Sequence, residues 1–465
     1  MKTKQLNKMG IPFGDAMTLA LAGIKALVAS GTDHRDIGRI VFAVVKQPEE
    51  YLQDAIWGEL ATWITEKGPA AGYVPRETPA PWQQWGVDLE PTAVDQMRTA
   101  CELPVAVAGA LMPDAHLGYG LPIGGVLATE GAVIPYAVGV DIACRVKMSV
   151  YDLPPGTLED SPDRLKKALA EETAFGIGAA FRGSARRDHD VMSRDWDVSP
   201  VTKKFKDKAW AQLGSSGSGN HFVEFGVFAL PEAQLGLAAG EYLALLSHSG
   251  SRGTGANVCA PYSCIAREQH PDLPARLQRH AWLDMDGDGA EYWEAMSLMG
   301  EYAAANHACI HRTIAENLGV EVILDVENHH NFAWKETHLG KDVVVHRKGA
   351  TPAGVGDLGI IPGSMTAPAF LVRGLGGPKS LDSASHGAGR VMSRTKANKT
   401  FQWPEVQRHL DEHRVELISA GLDEVPMVYK DIHSVMAAQA DLVEPLGSFL
   451  PRLVKMAPAG ERPED

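Results

Sequence analysis

Apolar residues near the N-terminus recur at helical spacing. Between Asp15 and Ser30, Met17, Leu21, Ile24 and Val28 fall on one helical face, and Gly31 suits a C-terminal cap. Pro48 followed by Glu49 and Glu50 predicts a second start, because proline and acidic side chains fit a first helical turn. Leu52, Ile56, Leu60, Trp63 and Ile64 then form its apolar face, and Gly68 closes it. Pro69, Pro75, Pro79 and Pro81 punctuate the next, polar stretch, which reads as a linker. The pattern divides the chain into a helical extension with its linker, residues 1–80, and a larger unit, residues 81–465.

The texture changes beyond that boundary. Short β-branched runs at Val105–Ala108, Val343–His346 and Gly359–Ile361 alternate with glycine-dense loops, and helices are predicted near 159–172, 294–318 and 404–420. No period of 20–50 residues repeats, which excludes a solenoid. The expected fold class is α+β: mixed β-sheets with peripheral helices, preceded by the helical extension. Glycine loops at strand ends let backbone approach a ligand closely.

Composition narrows the picture. The 465 residues are 45% hydrophobic and 22% charged, ordinary globular usage that indicates neither disorder nor a membrane protein. The start is basic, but Pro12, Asp15 and Lys25 interrupt the segment after it, so no signal-peptide core is expected, and the chain reads as cytoplasmic. Five scattered cysteines without a CxxC pair read as reduced thiols. The net charge of −14 sits awkwardly with nucleic-acid binding, which needs a local basic groove instead.

Four histidines stand in glycine- or asparagine-rich loops: His221 in GSSGSGNHFVE, His248 in SHSGSRG, His330 in ENHHNFAW and His386 in SASHGAGR. Asp141 and Cys144 share the segment VDIAC. Thiolate, carboxylate and imidazoles together make a divalent-metal set; one thiolate with imidazoles suits zinc, an added carboxylate manganese or iron. Each residue has a plainer reading as a turn, core or loop side chain. His307 and His311 sit four apart on a helix without the glutamate of HExxH, and read as structural. The loops GSSGSGN (214–220), GIIPGSM (359–365) and HGAGR (386–390) can present N–H groups to phosphates, though none is a P-loop. The run HRKGA (346–350), with Arg390, Arg394, Lys396 and Lys399, adds charge where RNA or a triphosphate would dock.

MPDAHLGYGLPIGGV (112–126), VDIAC, LGSSGSGNHFVE, SHSGSRGTG, VHRKGAT, IIPGSM, SHGAGRVMSR and YKDI occur in the order found in the RtcB family of RNA ligases, which the chain resembles over roughly residues 103–455. The resemblance implies a GTP- and manganese-dependent ligase. It would join RNA 2′,3′-cyclic phosphate or 3′-phosphate ends to 5′-hydroxyl ends in RNA repair or tRNA maturation. Asp141, Cys144, His221, His248 and His330 match the ligands of two manganese ions, and His386 matches the histidine that carries GMP. Asn220, Glu224, Ser364, Gly387, Ala388, Gly389, Tyr429 and Lys455 fall where the family holds the guanylate; Arg252 and Arg390 fall near substrate phosphates.

Departures accompany the resemblance. DIACR stands where the family reads DINCG, so Ala143 replaces a polar residue and Arg145 a glycine. A cation beside Cys144 would lower its thiol pKa, contact a phosphate or crowd a metal. That motivates an alternative, a metal-dependent nucleotidyltransferase or phosphodiesterase that does not seal RNA. A noncatalytic binding protein on the same scaffold is a third reading, against which the intact ligand set argues.

Overall fold

The computed structural model describes residues 3–11, 15–67 and 76–461; Gly68, Pro69 and Pro75 of the expected linker lie outside them. Asp15–Ala29 is helical as the spacing predicts, with Met17 and Ile24 buried, while Leu21 and Val28 are solvent-facing. A further helix spans His34–Lys46. The start at Pro48 yields only a 3₁₀ turn, Pro48–Tyr51, and the α-helix begins at Gly58 and runs to Lys67. Asp54 explains the break: its Oδ1 accepts the backbone N–H groups of Ile56 (2.8 Å) and Trp57 (2.9 Å), giving the chain an alternative to a continuous helix. Leu6, Met17, Ile24, Val41, Trp57 and Leu60 bury against one another as a core made from residues 6–64.

A large sheet positions the site. Its strands run in the order Leu358–Ile361, Ala369–Gly374, Val443–Met456, Phe222–Leu230, Gly240–Ser249, Arg145–Tyr151 and Val322–His329, every pair antiparallel. Glu416–Ser419 adds a parallel neighbour to Val443–Met456. The first and last strands of this order are joined by one side chain. Asn328 Oδ1 accepts from Ile360 N (2.8 Å), and Asn328 Nδ2 donates to Ile360 O (3.3 Å), so an amide stands in for a strand partner. A second sheet runs Trp82–Gln84, Ala106–His116, Ile123–Thr129, Lys341–Lys348 and Phe332–His338. The helix Asp288–Leu318 lays Ile310, Ile314 and Leu318 against Phe225, Leu243 and Leu245 of the large sheet. These elements form the expected α+β arrangement.

Two sequence expectations are corrected. The helix foreseen over 404–420 is Trp403–Glu412, burying Val406 and Leu410; the chain then reverses through Arg414 at φ 56° and becomes the strand Glu416–Ser419. The run HRKGA is no exposed basic patch, because it lies in and just after the interior strand Lys341–Lys348. His346 accepts from Ile134 N (2.8 Å), Arg347 pairs with Glu336, and Lys348 Nζ donates to the carbonyl of Tyr119 (2.6 Å). Burial pushes Lys348 down to about 8.

Candidate active site and metal centre

Adjacent strands of the large sheet end together, and their ends carry the histidines. The register pairs Val146 with His248, Phe222 with His248 and Arg145 with His329, so Cys144, His221, His248 and His330 meet at one rim. Cys144 Sγ lies 3.1 Å from His248 Nε2 and 3.4 Å from His221 Nε2. Asp141 Oδ2 is 3.1 Å from His221 Nε2, and His330 Nε2 is 3.2 Å from His248 Nε2. All five are buried. One donor atom each from Cys144, His221 and His248 falls within a 4.8 Å cluster.

Backbone carbonyls orient two of these rings. His248 Nδ1 donates to Asn220 O (3.1 Å), which turns its Nε2 toward the thiol, while the His221 ring is held between Ser216 O at Nδ1 (2.8 Å) and Asp141 Oδ2 at Nε2 (3.1 Å). Burial holds His248 down to about 3 and His330 well below the ordinary range, so the rings stay neutral donors. For Asp141, burial works to raise the pKa, but the His221 and Cys144 hydrogen bonds and the Arg252 charge outweigh it and hold the carboxyl low. Contacts of 3.1–3.4 Å thus gather one thiol, one carboxylate and three imidazoles at a single buried rim, an electron-rich cluster that a cation would stabilise. The donor set therefore fits a divalent metal.

His386 stands beside this cluster, its ring centroid 4.6 Å from that of His330. Its Nδ1 donates to Asp114 Oδ2 at 2.7 Å, and its backbone N donates to the same oxygen at 3.2 Å. Asp114 is fully buried in the strand Ala106–His116, and Lys430 Nζ grips the carbonyls on either side, Pro113 (2.9 Å) and Ala115 (2.7 Å). Gly389, at φ +74°, must be glycine: a Cβ there would sit 2.0 Å from Asp114 O. The geometry leaves His386 Nε2 free. Sequence reading assigned Asp114 no role, although a carboxylate inside the otherwise apolar run from Ala106 to Ala115 was a visible signal.

One pocket collects most of the expected residues. Asp141, Cys144, His248, His330 and His386 form its floor, and Asn220, Glu224, Ser364 and Tyr429 line it with Gly387, Ala388, Gly389 and Arg390. Glu224 is buried there without a polar partner among the described residues, and burial pushes its carboxyl well above the usual range. Arg390 stacks over Tyr429 and pairs with Glu424 (3.2 Å), a buried carboxylate that sequence reading missed and that also takes Arg394 and the Tyr429 hydroxyl.

His221 sits behind Cys144 rather than on the pocket surface, and two expected residues lie elsewhere. Strand alternation puts Val454 and Met456 in the pocket and turns Lys455 to the opposite face, where its Nζ donates to Leu169 O (2.9 Å). Arg252, buried at the start of the helix Arg252–Gln269, donates from Nε to Ser215 Oγ (3.0 Å) and braces the glycine loop. Arg145 also points away: its guanidinium donates to Gly300 O (2.9 Å) and pairs with Glu327, so it neither crowds the donors nor reaches the pocket. His307 and His311 are structural, bridged through Ser247 at 3.0 and 2.8 Å.

The helix Pro200–Gln212 leads into the glycine loop. Ser199 caps it, accepting from Thr202 N (3.1 Å), with Pro200 in the first turn. It exposes Lys203, Lys204 and Lys208, and Arg186 stacks on its Trp210 with 4.0 Å to the ring centroid. Lys208 Nζ reaches Gly253, three residues beyond Gly250, whose own Cα abuts the Asp141 carboxylate.

An α+β fold that gathers thiol, carboxylate and imidazoles under a glycine-walled pocket has the make-up of an enzyme site. The chain belongs to the RtcB family: the family model described as tRNA-splicing ligase RtcB matches residues 96–456. It is 35% identical over 409 residues to the RNA-splicing ligase RtcB of Escherichia coli strain K12, covering 78% of this chain and 94% of that protein. It is 32% identical over 451 residues to the tRNA-splicing ligase RtcB of Methanococcus maripaludis, covering 80% and 92%. No described helix is long and apolar enough to cross a membrane.

Proposed function

We propose that this protein is an RNA ligase that uses GTP and manganese to join RNA 2′,3′-cyclic phosphate or 3′-phosphate ends to 5′-hydroxyl ends, in RNA repair or tRNA maturation. The observation that carries the reading is His386, whose Nδ1–H is fixed on Asp114 while Nε2 faces the pocket beside the Cys144–histidine cluster. A neutral imidazole attacks phosphorus only through a nitrogen whose lone pair is free. Nε2 bonds to the α-phosphorus of GTP as the bond to the β-phosphate oxygen breaks and pyrophosphate leaves, giving GMP on His386. Asp114 stabilises the positive charge that develops on the ring.

Asp141, Cys144, His221, His248 and His330 would hold the metal. Bound there, manganese supplies charge that offsets negative phosphoryl oxygens. Glu224 supports guanine over adenine: the N–H donors of the guanine edge supply the partners this buried carboxyl lacks and favour its ionised, acceptor form. Tyr429 and Ser364 wall the same pocket, and Asn220 joins it to the His248 ring. The segment 182–208, with eight lysines and arginines against five aspartates, offers the acceptor RNA a local positive surface in an otherwise acidic chain. Because Arg145 turns away from Cys144, the DIACR sequence no longer favours a non-sealing enzyme.

The test is incubation with α-labelled GTP and manganese, then mapping of the labelled peptide. A base-stable, acid-labile adduct on His386, lost in His386→Ala with the fold retained, is expected. An RNA carrying a cyclic phosphate and a 5′-hydroxyl should then be sealed. Absence of any adduct across divalent metals overturns the reading.

A further inference from the structure

We infer that the C-terminal end of the helix Trp403–Glu412 carries a second metal site, formed by His409, Glu412 and His413 and selective for borderline transition ions of the zinc, nickel and cobalt type. The spacing His-x-x-Glu-His places all three side chains on one helical face. One donor atom from each lies within 4.8 Å of the others, and the two imidazole centroids are 4.3 Å apart. Glu412 and His413 are exposed and His409 is half-buried, so the face is open to entering ions.

Local hydrogen bonds prepare both rings. His413 Nδ1 donates to the carbonyl of His409 (2.8 Å), which leaves its Nε2 as a lone-pair donor. His409 Nε2 is engaged by Thr366 Oγ1 (3.2 Å), which leaves its Nδ1. A ligating histidine anchored through its other nitrogen is the arrangement metal sites use to fix tautomer and ring angle. The negative end of the helix dipole adds to the attraction for a cation. Two nitrogens and one carboxylate favour zinc-like ions over magnesium or calcium, which take oxygen sets. The site contains no thiol and is separate from the Cys144 cluster; Thr366 is its link to the loop carrying Ser364, on the pocket wall.

The test uses chelator-stripped, tag-free full-length protein titrated with cobalt or zinc in excess magnesium. The wild type is expected to bind one more equivalent than His409→Ala/His413→Ala, whose near-ultraviolet circular dichroism should match the wild type. In Cys144→Ala any residual cobalt spectrum should lack thiolate charge transfer, and adding the two histidine substitutions should lower the bound cobalt by one equivalent. Equal stoichiometry in wild type and the double variant overturns the inference. So does binding that excess magnesium removes, which would mark diffuse attraction to an acidic surface.

Discussion

At the scale of single residues, Asp114 is the side chain on which the proposed chemistry turns. An amide at this position no longer favours the tautomer that frees Nε2 and carries no charge to balance an imidazolium. Asp114→Asn is therefore expected to slow adduct formation by about 10²-fold or more, with GTP affinity little changed. Single-turnover labelling measures the rate, and an unchanged rate would separate Asp114 from the reaction. Asp114 escaped sequence reading because a carboxylate within an apolar strand shows its purpose only once its partner, 272 residues further on, is known. Lys455 failed in the opposite sense: the right residue type, one position out of phase with the pocket-facing side of its strand. The proposed metal donors were legible because the histidines sit in glycine- or asparagine-rich motifs, and Asp141 and Cys144 stand three residues apart just before a strand.

At the scale of elements, the sequence announced helices better than strands. Asp288–Leu318 and Pro162–Glu172 follow the predicted positions, the runs Val343–His346 and Gly359–Ile361 lie within observed strands, and Val105–Ala108 overlaps a strand that starts at Ala106. The strand Phe222–Leu230 gave no clear signal, since residues on both faces are largely buried and alternation vanishes. The helix Pro200–Gln212 makes the prediction at this scale. Arg182, Arg186, Lys204, Lys206 and Lys208 form no ion pair among the described residues, whereas Lys203 pairs with Asp197. Lys204→Glu/Lys208→Glu is expected to weaken RNA binding by about tenfold and to flatten its salt dependence by about two units of slope, while adduct formation with GTP stays intact. Titrating labelled RNA at several salt concentrations decides this; unaltered affinity and slope would place the RNA elsewhere.

At the scale of the whole molecule, buried neutral histidines tie stability to pH. Burial holds His280 and His311 down to about 3 and His346 to about 4. Their folded values lie below the unfolded value of about 6.5, so their contribution is present above that pH and is lost as pH falls toward 4. At pH 5 each would favour the unfolded chain by about 2 kcal/mol relative to pH 8. Urea midpoints should thus be level from pH 7 to 8 and fall steeply between pH 6.5 and 4. A flat profile would mean that these rings are protonated in the folded state.

The Asn328 amide has a consequence for how this molecule meets its neighbours. Open sheet margins invite other chains to add strands, and proteins commonly guard them with charge, bulges or covering loops. Here a single planar side chain occupies the N–H and C=O of Ile360, so the large sheet fastens to itself like a clasp. The clasp lies two residues before His330. The fastening that occupies this edge also fixes where one wall of the pocket ends, so the closure of the sheet and the geometry of the site share the same two hydrogen bonds.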